Sequence, residues 1–363
     1  MLRFYSFTIV VAAWLFLPAA YAQRASGKKS VNPPAAAVAT AGVEQINRRG
    51  VEAHLFFLAA DALAGREAGK PSGRVAAEYI KSVLWGLGVA PFGGSFFQRF
   101  EAYSPRRERH VEFSVHPDSV ALYRQEPAYR RLNLQNVLGY IEGQRKDEYV
   151  VIGAHYDHVG VDELLVGDQI YNGADDNASG VAVALQVAKA VVATGEKPLR
   201  SIIFAFWDGE EVNYLGSEYF VANFAQPSSI KAYVNLDMVG RQGVLPILHP
   251  RFGLPLGWDK PDTAVSRDVY LLRTEELVSL GEQAAGEAAL LTPGIALKPS
   301  LLVHKSEGSD NLAFSLRAIP VLWFFTGIHP EYHTPADEAA KVNLDKLTDV
   351  AKATFLSLWK LAN

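Results

Sequence analysis

The chain of 363 residues contains no cysteine. That excludes a disulfide framework, a thiol nucleophile, a Cys-ligated zinc and a lipidated N-terminal cysteine. Any metal has to be held by His, Asp and Glu. An excess of positive charge is also lacking: 35 Lys and Arg stand against 39 Asp and Glu, a net charge of −4. A basic nucleic-acid surface is therefore not a dominant feature, and no nucleic-acid partner is expected. Beyond the first residues, no stretch of about 18 residues is apolar and free of charge, so no later segment reads as a membrane span. Internal repeats are missing too. What is present, 49% hydrophobic and 20% charged residues, is the composition of a folded chain with a large core.

The N-terminal residues read as an export leader over 1–22. Arg3 supplies a short positive start, Phe7 to Leu17 an apolar run, and Ala20-Tyr21-Ala22 a small-x-small cleavage pattern. The run is too short for the ~20 residues of a spanning helix, so a cleaved signal and a secreted or periplasmic protein are expected, with no stable membrane insertion afterwards. Residues 23–42 are rich in Ala, Ser, Lys and Pro without a periodic apolar face, which predicts a disordered spacer. One domain is expected over 43–363.

Within it, apolar spacing predicts helices over Ile46–Ala60 and, from an N-cap at Ser72, over Gly73–Trp85. Val111–Val115 and Leu134–Ile141 read as strands joined by a polar, Arg-rich loop. Three short runs, Tyr149–Ala154, Ser201–Trp207 and Ile319–Phe325, are nearly continuously apolar, as strands buried on both faces are. Ala232–Asp237 is a shorter, less apolar strand. Helical patterns over Ala178–Ala193, Asn213–Ala225, Glu275–Leu290, Asp310–Leu316 and Leu344–Leu361 alternate with these strands. The pattern predicts an α/β fold, a three-layer α/β/α sandwich around a mixed, mostly parallel central sheet. A surface insertion is expected at about 242–298, whose first half is rich in Pro and Gly.

Polar residues fall where such a sheet would bind a ligand, outside the carboxyl ends of its strands. His155 and Asp157 follow the first buried strand, Asp208, Glu210 and Glu211 the second, Asp237 the third, and His333 lies in the loop after the fourth. Asp175-Asp176-Asn177 precedes a helix. Taken singly, the Asp pair is an N-cap cluster, Glu210-Glu211 a solvated first turn, and His155 or His333 a loop histidine. Their joint placement is not predicted by those readings, and so many carboxylates at one edge require a cation. Zinc accepts imidazole and carboxylate without cysteine. A two-metal hydrolytic site needs a bridging carboxylate, further ligands and a separate base. His155, Asp175, Glu211, Asp237 and His333 supply five ligands and Glu210 the base. Asp157 is positioned to accept the other N–H of His155 and fix its tautomer.

Five ordered motifs carry a resemblance. Gly153-Ala154-His155-Tyr156-Asp157, Asn172 to Gly180, Phe206 to Glu211 with Leu215 to Phe220, Asn235-Leu236-Asp237-Met238, and Tyr332-His333-Thr334-Pro335 resemble the co-catalytic zinc peptidases of clan MH. The M28 peptidase family is the nearest group, with its leucyl aminopeptidases, aminopeptidase Y and glutamate carboxypeptidases. The resemblance implies two zinc ions per chain, one held by His155 and Asp237, the other by Glu211 and His333. It implies Asp175 as the bridge, Glu210 as general base, Asp157 as the residue orienting His155, and a cis peptide at Asp175–Asp176.

The function expected is a zinc-dependent aminopeptidase acting on peptides through a water activated by two zinc ions. A glutaminyl cyclase on a related fold is the rival enzyme; that group resembles this chain but uses one zinc and lacks the histidine of the first motif. A non-catalytic binding relative is the third reading, and the full set of ligands with Glu210 argues against it. Arg241 and Arg317 are isolated in sequence, so no acidic-substrate pocket is marked. Leu215, Phe220, Trp323, Phe324 and Phe325 read as sheet core.

Overall fold

The computed structural model describes residues 35–105, 112–243, 267–302 and 308–363. The expected leader, 1–22, lies outside the described residues. The expected spacer does not extend to residue 42: helix α1 covers Ala35–Gln45. The segment is helical because alanine favours helix, and it packs through small residues rather than an apolar stripe. Val38 is buried, and a Cβ on Gly42 would lie 2.1 Å from the Phe355 ring. A close contact through glycine leaves no bulky periodic face in the sequence.

In chain order the strands are β1 (Ala90–Pro91), β2 (Phe97–Pro105), β3 (Tyr129–Ile141), β4 (Arg145–His155), β5 (Gly160–Val161), β6 (Ile170–Tyr171), β7 (Arg200–Trp207), β8 (Ile230–Leu236), β9 (Asp268–Arg273), β10 (Ala296–Leu301) and β11 (Val321–Phe325). Among the described residues nine of them form one sheet, in the order β1-β3-β7-β4-β8-β11-β9-β10 with β2 beside β3, and β5 pairs with β6 apart from it. The central four, β7, β4, β8 and β11, are mutually parallel. Antiparallel β3 flanks them on one side and antiparallel β9 on the other. The mixed, centrally parallel sheet is the one expected from the apolar runs.

Helices α2 (Arg48–Leu58), α3 (Pro71–Gly86), α5 (Gly180–Ala193), α7 (Val278–Leu291) and α9 (Leu344–Ala362) join α1 on one face; α6 (Leu215–Ala222) and α8 (Asn311–Ser315) cover the other. A short helix, α4 (Pro117–Tyr123), occupies the linker read as an irregular loop. Strand alternation divides the core. Val150, Ile152, Ala154, Ile202, Phe204 and Phe206 enter the larger cluster, while Val151, Ile203, Ala205 and Trp207 face α6 and α8. All ten are fully buried, and truncating one of these phenylalanines to alanine costs roughly 3–5 kcal/mol.

The segment read as an insertion, 242–298, is half structural. Residues 244–266 lie outside the described residues, but β9, α7 and β10 extend the main sheet. The run Val269-Tyr270-Leu271-Leu272 alternates between the two cores, a strand signal hidden by the Pro- and Gly-rich half before it. Two helix starts also differ. α3 begins at Pro71, where proline suits the first turn, rather than after a Ser72 cap. α6 begins at Leu215 because Tyr214 is left-handed, with φ 56°.

Candidate metal centre

The parallel strands deliver their ends to one edge. His155 is the last residue of β4 and Asp237 directly follows β8; Glu210 and Glu211 sit in the turn after β7, and His333 in the loop after β11. These residues converge, and a carboxylate not expected there lies among them. The carboxylate of Asp176 has one oxygen, Oδ1, 3.3 Å from His155 Nε2. Its other oxygen is 3.1 Å from His333 Nε2. On the first side Asp237 Oδ1 is 3.4 Å from His155 Nε2, with Glu210 Oε2 at 3.9 Å. On the second side Glu211 Oε2 is 3.0 Å from His333 Nε2.

Asp175, the expected bridge, is elsewhere. Its Oδ1 accepts a 2.6 Å bond from the Gly240 amide, and its Oδ2 faces His329 Nε2 at 3.4 Å. The structure thus moves the inward-facing carboxylate one residue along, to Asp176. The cis peptide is likewise one residue later, at Asp176–Asn177. Successive side chains point apart, so of two adjacent aspartates only one can face the cleft; the other is turned under the loop.

That loop is held from both sides. Asp337 accepts the amides of Asp175 and Asp176 at 3.0–3.1 Å. Arg66, 1% exposed, donates to the carbonyls of Leu58, Tyr156, Asn172 and Gly173. Burial pulls the Arg66 guanidinium down to about 10, so it stays charged beneath a cluster of carboxylates. Gly173 has φ +55°, and a Cβ there would meet the Asp176 carbonyl at 2.2 Å and the His158 ring at 2.5 Å. Only glycine turns the chain at this point without a clash. Asn177 closes the turn, donating to the Leu236 carbonyl and accepting from the Gly180 amide.

Asp157 has a different contact from the one expected. The main-chain carbonyl of Asp157, not its carboxylate, lies 3.2 Å from His155 Nδ1. A carbonyl can only accept, so Nδ1 donates to it and Nε2 is the nitrogen turned toward the carboxylates of Asp176 and Asp237. The Asp157 carboxylate instead accepts the amides of Glu210, at 3.1 Å, and Glu211, at 3.3 Å. It therefore fixes the turn that presents both glutamates. Burial, aided by repulsion from Glu211, raises its pKa to about 6.

The electrostatics divide the carboxylates. Burial disfavours charge on Asp176, but the imidazoles of His158, His155 and His333 around it hold it well below the usual range. Burial and Asp176 likewise oppose charge on Glu211, yet His158 and His333 bring it to about 2. Glu210 goes the other way: burial, with Asp237 and Glu211 near, raises it well above the ordinary glutamate value. For His333 burial is outweighed by Asp176 and Glu211, which push it up to about 10. The metal-free cluster is therefore a set of carboxylates that borrow protons from histidine, the state a bound cation would replace.

The donors form two groups whose ligand atoms lie within 4.8 Å of one another: His155, Glu210 and Asp237, and His158, Asp176, Glu211 and His333. Nitrogen and oxygen donors without sulfur suit zinc. His158 was overlooked in the sequence although it adjoins Asp157. Asp337 was overlooked although it ends the Tyr332 to Asp337 run. Arg66 had a weaker signal, a lone arginine in a loop of Ala and Gly. Two phenols border the cleft: burial first, then the nearby carboxylates, keep Tyr214 and Tyr332 protonated. Of the apolar residues read as core, Leu215, Phe220, Trp323, Phe324 and Phe325 are all buried.

Comparison with known proteins adds sequence and fold. The profile of peptidase family M28 matches residues 136–357. A glutamate carboxypeptidase 2 homolog of Caenorhabditis elegans is 35% identical over 117 residues, 30% of this chain and 14% of that protein. An aminopeptidase of Pseudomonas aeruginosa is 32% identical over 113 residues, 31% of this chain and 19% of its own. The matched stretches are thus less than a fifth of these relatives' length. The aminopeptidase structure from Aneurinibacillus sp. strain AM-1 has the same fold, with a TM-score of 0.61 at 18% identity over 90% of this chain and 96% of that one. The glutaminyl cyclase structure from Porphyromonas gingivalis shares it at TM-score 0.59 and 17% identity, over 87% and 98% of the two chains.

Proposed function

We propose that this chain, which belongs to peptidase family M28, is an exported zinc-dependent aminopeptidase that removes N-terminal residues from peptides and uses two zinc ions. The observation that carries the reading is the Asp176 carboxylate lying between two groups of donors, one oxygen toward each. On this reading His155 and Asp237 would hold one ion, Glu211 and His333 the other, and Asp176 would serve both. Zinc bound there would supply Lewis acidity for a water nucleophile and the scissile carbonyl.

The protein's own groups do the rest. Of the three carboxylates facing His155 Nε2, Glu210 is the farthest, at 3.9 Å against 3.3 Å for Asp176 and 3.4 Å for Asp237. On this reading it borders the donors rather than completing them. Its role is to take a proton from the attacking water and deliver it to the leaving amine. Asp157 aims it by gripping its backbone amide.

Charge supports release from the N-terminal end. A carboxypeptidase needs a cation for the substrate carboxylate, and three arginines of the described residues are engaged with other groups: Arg66 with four carbonyls, Arg241 with Glu331 at 3.0 Å, and Arg317 with Glu218 at 2.7 Å. Two adjoining donor groups favour two ions over the single ion of a cyclase. Export rests on the leader pattern of Met1 to Ala22.

Metal analysis beside a panel of aminoacyl-nitroanilides tests the proposal. Two zinc ions per chain are expected, with hydrolysis that needs a free α-amine, stops on chelation and returns with zinc or cobalt. Full activity after exhaustive dialysis against a chelator contradicts it. So does one tightly bound zinc with cyclisation of an N-terminal glutamine.

A further inference from the structure

Resting on the two-ion reading, we propose that His158 is not a third imidazole ligand but the hydrogen-bond donor that fixes Glu211, leaving one glutamate oxygen to the ion. His158 lies among the donor atoms of the second group, so ligation is the obvious alternative. The distances separate the two roles. Two ligands about 2.0–2.1 Å from a tetrahedral zinc stand about 3.3 Å apart. His333 Nε2 meets that spacing closely, at 3.1 Å from Asp176 Oδ2 and 3.0 Å from Glu211 Oε2. His158 Nδ1 is 2.6 Å from Glu211 Oε1 and 3.7 Å from Asp176 Oδ2. The first is too short for two donors on one ion and leaves the pair in direct contact, as a short charge-assisted hydrogen bond does. Glu211 can only accept, so Nδ1 is the donor of that bond.

The ring is placed to hold that bond. His158 is 1% exposed, and its Nε2 is buried without a partner. Its amide donates to the Arg66 carbonyl at 3.3 Å, in a parallel bridge formed with Glu67. The ring lies against Gly173, where a Cβ would come within 2.5 Å of it, and meets the His333 ring edge-on at 5.5 Å. With Oε1 engaged, Glu211 offers only Oε2, the oxygen that faces His333. Without the bond, the carboxylate can rotate and bind through either or both oxygens. His158 is thus a positioning residue for the ion shared by Glu211 and His333.

Two measurements test this. In the dicobalt wild-type enzyme, proton NMR should show hyperfine-shifted exchangeable imidazole resonances from two histidines, His155 and His333. A third such resonance, lost in His158→Ala, makes His158 a ligand and overturns the inference. Chelator competition should then show that His158→Ala weakens one zinc by roughly 10–100-fold and leaves the other unchanged. His158→Asn, whose amide nitrogen lies near the position of Nδ1, should recover most of that loss. Unaltered affinity in His158→Ala, or an Asn variant no better than Ala, also overturns it. Should the Ala variant fail to fold, the NMR count on the wild type decides alone. A wild-type chain that takes up no second ion brings down the two-ion reading itself, a result distinct from these.

Discussion

The site has two halves, and they are built differently. His155 and Asp237 belong to the strands: one ends β4, the other directly follows β8, and the flanking residues Ala154 and Leu236 are fully buried. Their positions are fixed by the sheet's own hydrogen bonds and packing. Asp176 and His333 belong to loops. Asp176 stands where it does because Arg66 holds two carbonyls before it and Asp337 holds two amides, its own included. His333 is left-handed, with φ 52°, and its side chain is 38% exposed. So is Met238, with φ 57°, directly after Asp237. Non-glycine residues in this region cost about 1–3 kcal/mol each, which the surrounding contacts must offset. A strand end therefore places a ligand through local structure. A loop ligand is placed by tertiary contacts from residues far away in sequence.

The largest effect should come from a change that leaves both halves intact. Glu210→Gln keeps size and most hydrogen bonding but cannot accept a proton. The variant should fold and retain both zinc ions, while kcat falls by ~10²–10⁴ at little change in KM. Steady-state kinetics with metal analysis checks this. Loss of zinc together with activity would make Glu210 a ligand and erase the distinction drawn above.

Arg66→Met should separate the halves. It removes a buried charge that satisfies four carbonyls, which then lack partners. Denaturant unfolding should show a loss of roughly 3–5 kcal/mol. Before global unfolding, the loop carrying Asp176 should show the earlier gain in amide exchange, ahead of β4 and β8. Uniform loosening of strands and loop alike would mean that the two halves are not independently supported.

A smaller effect concerns protons. In the metal-free protein His333 is raised to about 10 by Asp176 and Glu211, against the opposing effect of burial. Near neutral pH it is therefore protonated, and zinc has to displace that proton. His155 is raised too: burial opposes this, but Glu210 and Asp237 outweigh it. Apparent zinc affinity should rise as pH increases from 6 toward 9, and calorimetry in buffers of different ionisation enthalpy should detect proton release on binding. Affinity independent of pH would contradict the assignment of both imidazoles as ligands.

The same division explains what the sequence made legible. The buried apolar runs mark β4, β7 and β11, and a less apolar run marks β8; His155 at the end of β4, Glu210 and Glu211 after β7 and Asp237 after β8 come together at one edge. The loop half was read less well. Of Asp175 and Asp176 the first was chosen, because nothing local says which of two adjacent carboxylates faces inward; Asp337, Gly240 and Arg66 decide it from a distance. His158 was passed over for a related reason. Its role depends on Glu211, which is 53 residues away in sequence and 2.6 Å away in space. Helix α1 lacks an apolar stripe because Gly42, a residue with no side chain, makes its close contact with the Phe355 ring.

The zinc content of two neighbouring variants, Asp176→Asn and Asp175→Asn, tests the central claim most directly. Both should be measured by mass spectrometry after dialysis against a weak chelator, with folding verified by circular dichroism. Asp176→Asn should lose metal from both positions, because one carboxylate serves both ions. Asp175→Asn should keep two zinc ions, since its Oδ1 can still accept the Gly240 amide. Zinc lost from the Asp175 variant and retained in full by the Asp176 variant would restore the bridge to Asp175 and contradict the account.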